Sequence, residues 1–147
     1  MLNVAPVPEA HQVGLDEQII HLLRRAHQRA SAMFVSETGD EQVTPAQFFA
    51  LSRLAEFGPL SQNRLGRLAA MDPATIQGVI RRLAERGMIE RTSDPTDRRR
   101  MVVRLTPKGE ALLGRLKWAA SSVNAAVLRP LSQAEREQFI SLLKRLV

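Results

Sequence analysis

A mainly α-helical domain carrying one small β-hairpin is the fold class that the sequence predicts, and three observations predict it. Thr44-Pro45, Asp72-Pro73 and Thr106-Pro107 each set a side-chain oxygen before a proline. That pairing opens a helix, because the oxygen accepts an orphan N–H and proline at the first helical position has none to leave unsatisfied. Apolar residues recur at spacings of three and four over most of the chain. Only residues 88–91 and 100–105 alternate as strands do, and between them Asp94-Pro95 marks a turn.

Taken in order, residues 1–14, with Pro6, Pro8 and Gly14 and no periodicity, read as a flexible arm. From Asp16 onward Ile19, Leu22, Leu23, Ala26, Ala30, Met33 and Phe34 form a helical stripe that stops before Thr38-Gly39-Asp40, with His21, Arg24, Arg25 and Gln28 on the polar side. The second helix starts at Pro45, with Thr44 and Gln47 as a reciprocal cap, and runs to about Phe57. Phe48 and Phe49 point in different directions around it, so one can pack in the core while the other lines a cavity. Ser61 caps a short third helix bearing Leu65 and Leu68. Asp72 caps the fourth, whose Ile76, Val79, Ile80 and Leu83 make one apolar face until Gly87 supplies a stop.

In the hairpin, alternation assigns Met101, Val103 and Leu105 to one face and Arg100, Val102 and Arg104 to the other. A long helix over residues 108–128 follows, carrying Leu112, Leu113, Leu116, Ala119, Ala120, Val123, Val127 and the lone Trp118, and Pro130 ends it. Ser132 and Glu135 form a capping box for a last helix with Phe139, Leu142, Leu143 and Leu146 on a wide apolar face. Little chain remains to cover that face. The first and last helices of a second copy are the expected cover.

A length of 147 residues supports one domain with a real core, and the net charge of +6 asks for an anionic partner: nucleic acid, a membrane surface or an acidic protein. Arginine clustering favours nucleic acid. With no cysteine, disulfides, cysteine-ligated zinc and thiol redox sensing are excluded. No apolar run approaches the ~20 residues that span a bilayer, and the N-terminus lacks a charged stretch followed by an apolar one, so a cytoplasmic location is expected. His11, His21 and His27 do not pair at metal-site spacing; Glu17 and His21 do share an i, i+4 spacing, read as a helix-surface ion pair or a core-edge histidine rather than a metal ligand. No phosphate-cradling glycine loop, nucleophile elbow or metal cluster appears, so neither enzyme activity nor a cofactor is expected.

The outward side of the fourth helix carries Ala74, Gly78, Arg81 and Glu85, flanked by Gln77 and Arg82. Residues with almost no side chain lie here between amide and guanidinium donors. Such a surface can approach something large and flat; Gln pairs bidentately with adenine and Arg with guanine in a major groove. A solvated amphipathic helix remains the alternative on this helix alone. The hairpin tip adds Arg98, Arg99 and Arg100, whose mutual repulsion a phosphate backbone or a narrow minor groove would relieve.

Leu65 and Leu68, Asp72-Pro73-Ala74-Thr75-Ile76, Arg82-Leu83, Arg86-Gly87-Met88-Ile89, Asp94-Pro95-Thr96-Asp97-Arg98-Arg99 and Leu105-Thr106-Pro107-Lys108-Gly109 form an ordered series over nearly the whole chain. The series resembles the MarR (multiple-antibiotic-resistance regulator) family of winged helix-turn-helix repressors. Gly78 stands where that family often has a basic or bulky residue, and Arg81 where it often has an acidic one. The resemblance implies a single domain over 1–147: a winged helix-turn-helix lobe at 44–105, with its recognition helix at 73–86 and wing at 89–105, and a helical dimerisation region at 15–37 and 107–147. The residues expected to meet DNA are Ser61 and Arg64, then Ala74, Thr75, Gln77, Gly78, Arg81 and Arg82, and in the wing Asp97, Arg98, Arg99 and Arg100. By resemblance Asp97 orients neighbouring guanidinium groups while Arg98 or Arg99 enters the minor groove.

The expected function is that of a homodimeric repressor on a pseudo-palindromic double-stranded operator, released by a small aromatic acid or its thioester. The alternative is a sequence-tolerant architectural DNA binder with no effector. Relatives of this kind bind aromatic carboxylates where the dimer region meets the DNA-binding lobe, which implies a pocket between the first, second and fifth helices. Phe49 and Trp118 are the candidate ring-flanking residues there, and His21 and Arg25, one helical turn apart, the candidate carboxylate site.

Overall fold

The computed structural model describes residues 14–147, and the arm expected over 1–14 lies outside them apart from Gly14. Six helices and one hairpin follow in the order α1 (Ile19–Glu37), α2 (Pro45–Phe57), α3 (Gln62–Leu68), α4 (Pro73–Glu85), β1 (Ile89–Ser93), β2 (Met101–Leu105), α5 (Pro107–Val127) and α6 (Gln133–Lys144). Each cap is made as its residues require. Thr44 accepts from the Gln47 N–H while the Gln47 side chain accepts from the Thr44 N–H, both at 3.2 Å. Ser61 caps α3 through the Arg64 N–H, and Ser132 and Glu135 reciprocate at the start of α6. Among the described residues no helix is long and apolar enough to cross a membrane.

Two short 3-10 turns, Leu15–Glu17 and Gly39–Glu41, add detail that periodicity does not carry. The first changes an expected contact. Because α1 begins only at Ile19, Glu17 and His21 are not on one continuous helix; the His21 Nε2 lies 3.8 Å from Asp16 instead.

The hairpin is antiparallel, pairing Ile89 with Leu105 at its root and Ser93 with Met101 at its tip. Leu60 bridges the outer edge of β2 by exchanging N–H and C=O bonds with Val103 at 2.7 and 3.0 Å. Met88, expected in the first strand, belongs to the stop of α4. Gly87 takes φ +72, a left-handed value that suits glycine, and the Met88 N–H then donates to Leu83 O at 2.9 Å. The expected alternation also fails at the tip: Met101 is 56% exposed, whereas Val102 and Val103 are both buried. Met101 pairs with Ser93 at the far end of the ladder, beyond the reach of the helical core.

The core is centred on α2. Ala50, Leu51 and Leu54 meet Leu65 of α3, the Ile76, Val79, Ile80 and Leu83 face of α4, and Leu112, Leu113 and Leu116 of α5. Phe48 joins this core, its ring 5.2 Å from that of Phe34 on α1. Close approach of α5 to the stop of α4 depends on Gly109, since a Cβ there would lie 2.0 Å from the Met88 carbonyl oxygen. The two ends of the chain contrast with this lobe. Along α1 only Phe34 is buried, and no residue of α6 is.

Candidate nucleic-acid interface

The recognition surface starts with the cap of α4. Asp72 Oδ1 accepts from the Thr75 N–H and Oδ2 from the Thr75 hydroxyl, both at 2.8 Å. These two bonds from Thr75, the backbone one larger, hold the exposed Asp72 carboxyl below the usual carboxylate range. Thr75 is therefore engaged in positioning the helix start through its hydroxyl. With one face of α4 sealed into the core, Ala74, Gln77, Arg81, Arg82 and Glu85 are all exposed, and Gly78 is half-buried.

A concave surface forms where Ala74, Gln77, Gly78, Arg81, Ala84 and Glu85 meet Arg91 of β1. Arg91 was absent from the residues expected to face DNA. Its guanidinium donates to Gln62 Oε1 of α3 at 3.2 Å, so α3, α4 and the wing root share one donor-rich surface. The only local hint was the run of charge in Glu90-Arg91; which strand residue reaches α4 follows from the hairpin's packing. Beside it, Arg104 pairs with Glu90 across the strands, which leaves Arg91 as the basic group turned to α4. Ser61 and Arg64 are exposed at the start of α3, and the Arg64 N–H is held by the Ser61 hydroxyl at 3.3 Å.

The wing tip is organised by two aspartates. Asp94 accepts from the Thr96 N–H and hydroxyl, each at 2.8 Å, and these bonds together with the Arg100 charge lower its pKa. Asp97 accepts from the Arg99 N–H at 3.0 Å and lies 3.8 Å from the Arg100 guanidinium. Its strongest contact thus shapes the loop backbone, with a longer one to a single arginine side chain. Arg98 and Arg99 are exposed and make no ion pair among the described residues.

The residues expected to hold an effector are not gathered within one chain. Phe49, 51% exposed, lines a groove of about 950 Å³ with His27, Ser31 and Val35 of α1 and the Ala69–Ala70–Met71 turn before α4. Trp118 is 60% exposed on α5 and outside that groove. Arg25 lies on another side of α1, beside Leu22, Ala26 and Arg29. Two residues are about 200° around a helix, so the side bearing His27 cannot also present Arg25. His27, which has no partner at helical spacing in the sequence, is the one titratable side chain lining the groove among the described residues.

Comparison with known proteins agrees with this architecture. A model described as the MarR family matches residues 43–101. The HTH-type transcriptional repressor NicR of Pseudomonas putida is 38% identical over 131 residues, covering 89% of this chain and 83% of that protein. Among solved structures, a probable transcriptional regulator from Pseudomonas aeruginosa has a TM-score of 0.86 and 49% identity, over 91% of this chain and 100% of its own. Bordetella bronchiseptica BpsR, described with a mechanism for regulation of its DNA binding by 6-hydroxynicotinic acid, has a TM-score of 0.83 and 37% identity, over 91% and 96%. With its capped recognition helix, its arginine-tipped wing and relatives matched over most of their length, the chain belongs to the MarR family of transcriptional regulators, which are not enzymes.

Proposed function

We propose that this protein is a repressor that binds a pseudo-palindromic operator as a homodimer and leaves it when a small aromatic acid, free or as a thioester, is bound. The observation that carries the DNA reading is the concave surface joining Gln77 and Arg81 of α4 to Arg91 at the wing root, with Arg98 and Arg99 making no ion pair among the described residues at the wing tip. Helix α4 enters the major groove and the wing reaches the neighbouring minor groove. Two-fold symmetry sets the half-sites about 10 base pairs apart. The apolar faces of α1 and α6, open in a single chain, supply the dimer contact.

The effector class follows BpsR, whose DNA binding is regulated by 6-hydroxynicotinic acid, an aromatic acid. Its seat in this chain is the groove lined by Phe49 and His27: an aromatic face beside a group that, protonated, pairs with a carboxylate. His21, Arg25 and Trp118 contribute only if the second copy brings them to the groove. The groove borders Ala70, whose left-handed φ of +54 sits two residues before the Asp72 cap. A ligand releases DNA only by favouring an arrangement of the recognition helices that DNA does not, and this turn is where ligand contact meets α4.

Fluorescence anisotropy on DNA from the promoter of its own or a neighbouring gene tests both parts. The expected result is tight binding to a footprinted palindrome, reversed by 6-hydroxynicotinate or a benzoate-like acid, with a weakened response in Phe49→Ala and His27→Ala. Equal affinity for unrelated DNA and no ligand response would instead leave a sequence-tolerant architectural binder.

A further inference from the structure

On the outward face of α4 the guanidinium of Arg82 does not extend away from the helix. It lies back over Gly78, four residues earlier, with Nη2 3.4 Å, Nη1 3.7 Å and Cζ 3.8 Å from the point a Cβ at Gly78 would occupy. Side chains on a helix lean toward its N-terminus, so i and i+4 stack along one face. These are contact distances for a methyl group, so the place has room for the arginine's end only where the residue at 78 carries nothing longer than a Cβ. Arg82 makes no ion pair among the described residues, so no neighbouring carboxylate accounts for the posture.

Angular position gives this its meaning. The buried face of α4 is Ile76, Val79, Ile80 and Leu83. At about 100° per residue, Gly78 lies near the centre of the opposite side, whereas the Cα of Arg82 lies toward its flank. Folding over Gly78 therefore moves the cation about one turn toward the helix N-terminus and toward the middle of the outward face. Arg81 lies about as near the middle on the other side, with Gln77 on the far flank, and both line the same concave surface as Gly78. The glycine also lets the backbone sit deeper against whatever the helix meets.

We propose that Gly78 and Arg82 act as one reading unit, in which the glycine gap seats the Arg82 guanidinium at the centre of the recognition surface and makes it the reader of one guanine in each operator half-site. A guanidinium there offers two parallel N–H donors to O6 and N7 of guanine, a pairing that no other base edge in the major groove offers. An arginine held along its own helix keeps its fork preorganised, so less conformational freedom is lost on contact. The inference rests on the operator-binding function proposed above and adds to it which residue specifies which base.

Selection of bound sites from a randomised library, run on full-length protein, tests it. The wild type should enrich a guanine at one symmetric position per half-site, and its replacement by adenine should weaken binding on the order of 10- to 100-fold. Arg82→Ala should lose preference at that position alone and keep the others. Gly78→Leu should lose the same preference although Arg82 is still present, because the side chain fills the seat; Gly78→Ala, whose methyl only touches the guanidinium, should retain it. Uniform weakening in Arg82→Ala, with the salt slope reduced by about one, would make Arg82 a phosphate contact and overturn the proposal. So would an unchanged guanine preference in Gly78→Leu, a folded variant being verified by its circular dichroism and melting. A wild type that enriches no sequence at all would refute the operator-binding function itself, whereas preferences that ignore Arg82 would refute only the reading unit.

Discussion

The winged lobe and the two chain ends obey the same helical grammar and reach opposite outcomes. In the lobe, the main apolar faces find partners within the chain: Leu51 of α2, Leu65 of α3, Ile76, Ile80 and Leu83 of α4 and Leu112 of α5 are fully buried together. At the ends, Ile20 of α1 is 79% exposed, and Phe139, Leu142 and Leu146 of α6 are exposed as well. The difference is not one of residue type. Five helices and a hairpin enclose one core around α2, while α6 comes after that core is closed and is tied back chiefly by Arg136, whose Nε donates to Leu128 O and Leu131 O at 3.0 and 2.9 Å. The contrast teaches that the lobe carries its stability within one chain, whereas the ends leave their apolar surface open, which is the surface the proposed homodimer uses.

The sharpest test of that contrast is a pair of substitutions of the same residue type. Leu83→Ala, deep in the lobe, should cost about 2–5 kcal/mol in chemical denaturation, since both the transfer energy and a cavity are at stake. Leu142→Asp, on the open face of α6, should leave the lobe's melting almost unchanged. In sedimentation it should instead shift dimer to monomer, with operator affinity falling on the order of 100-fold as two tethered half-site contacts become one. A Leu142→Asp protein that stays dimeric would place the interface elsewhere.

Smaller effects probe the lobe's outer surface. The double variant Arg98→Ala, Arg99→Ala should weaken binding to all sequences alike and reduce the salt slope by about one for each phosphate no longer neutralised, with no loss of folding. An unchanged affinity and slope would make the wing tip a solvated charge run. A different kind of substitution tests the ties between regions. Glu41 lies between them, bonded to Arg115 of α5 at 2.8 Å and 3.8 Å from Arg86 at the end of α4. Glu41→Gln should change melting only slightly, as expected for partly exposed ion pairs.

The smallest effect is set by pH. Asp72 and Asp94 have depressed pKa values through their bonds to Thr75 and Thr96, so their contributions are fully present above the ordinary carboxylate value of 3.8 and are lost as pH falls through the lower folded-state value. Melting followed from pH 6 to pH 2 should therefore show an acid-side loss that Asp72→Asn, which keeps a capping oxygen but carries no charge, reduces. An identical acid limb in that variant would assign the loss to other carboxylates.

Helix starts were legible in the chain because a cap is local: Thr44 to Gln47, Asp72 to Thr75, Thr106 to Gly109 and Ser132 to Glu135 each span three residues, and the bonds form as the residue types require. The buried face of α4 and the different directions of Phe48 and Phe49 were legible for the same reason, as consequences of 3.6 residues per turn. Placement of Arg91 beside α4, or of His27 rather than His21 in the groove with Phe49, was not. Those depend on how the hairpin is set against α4 and on which side of α1 turns to α2, choices made by the summed packing of residues far apart in the chain.

By itself, then, the sequence determined the elements, their caps, their apolar faces and the basic tip of the wing, because each is decided by neighbours within a turn or two. Only the tertiary structure decided that Met101 points to solvent while Val102 is buried, that Arg91 completes the recognition surface, and that the Arg82 guanidinium rests in the space left by Gly78. The first two depend on the end of a ladder and the packing of a strand on a helix. The last depends on a rotamer, which residue spacing permits but does not choose.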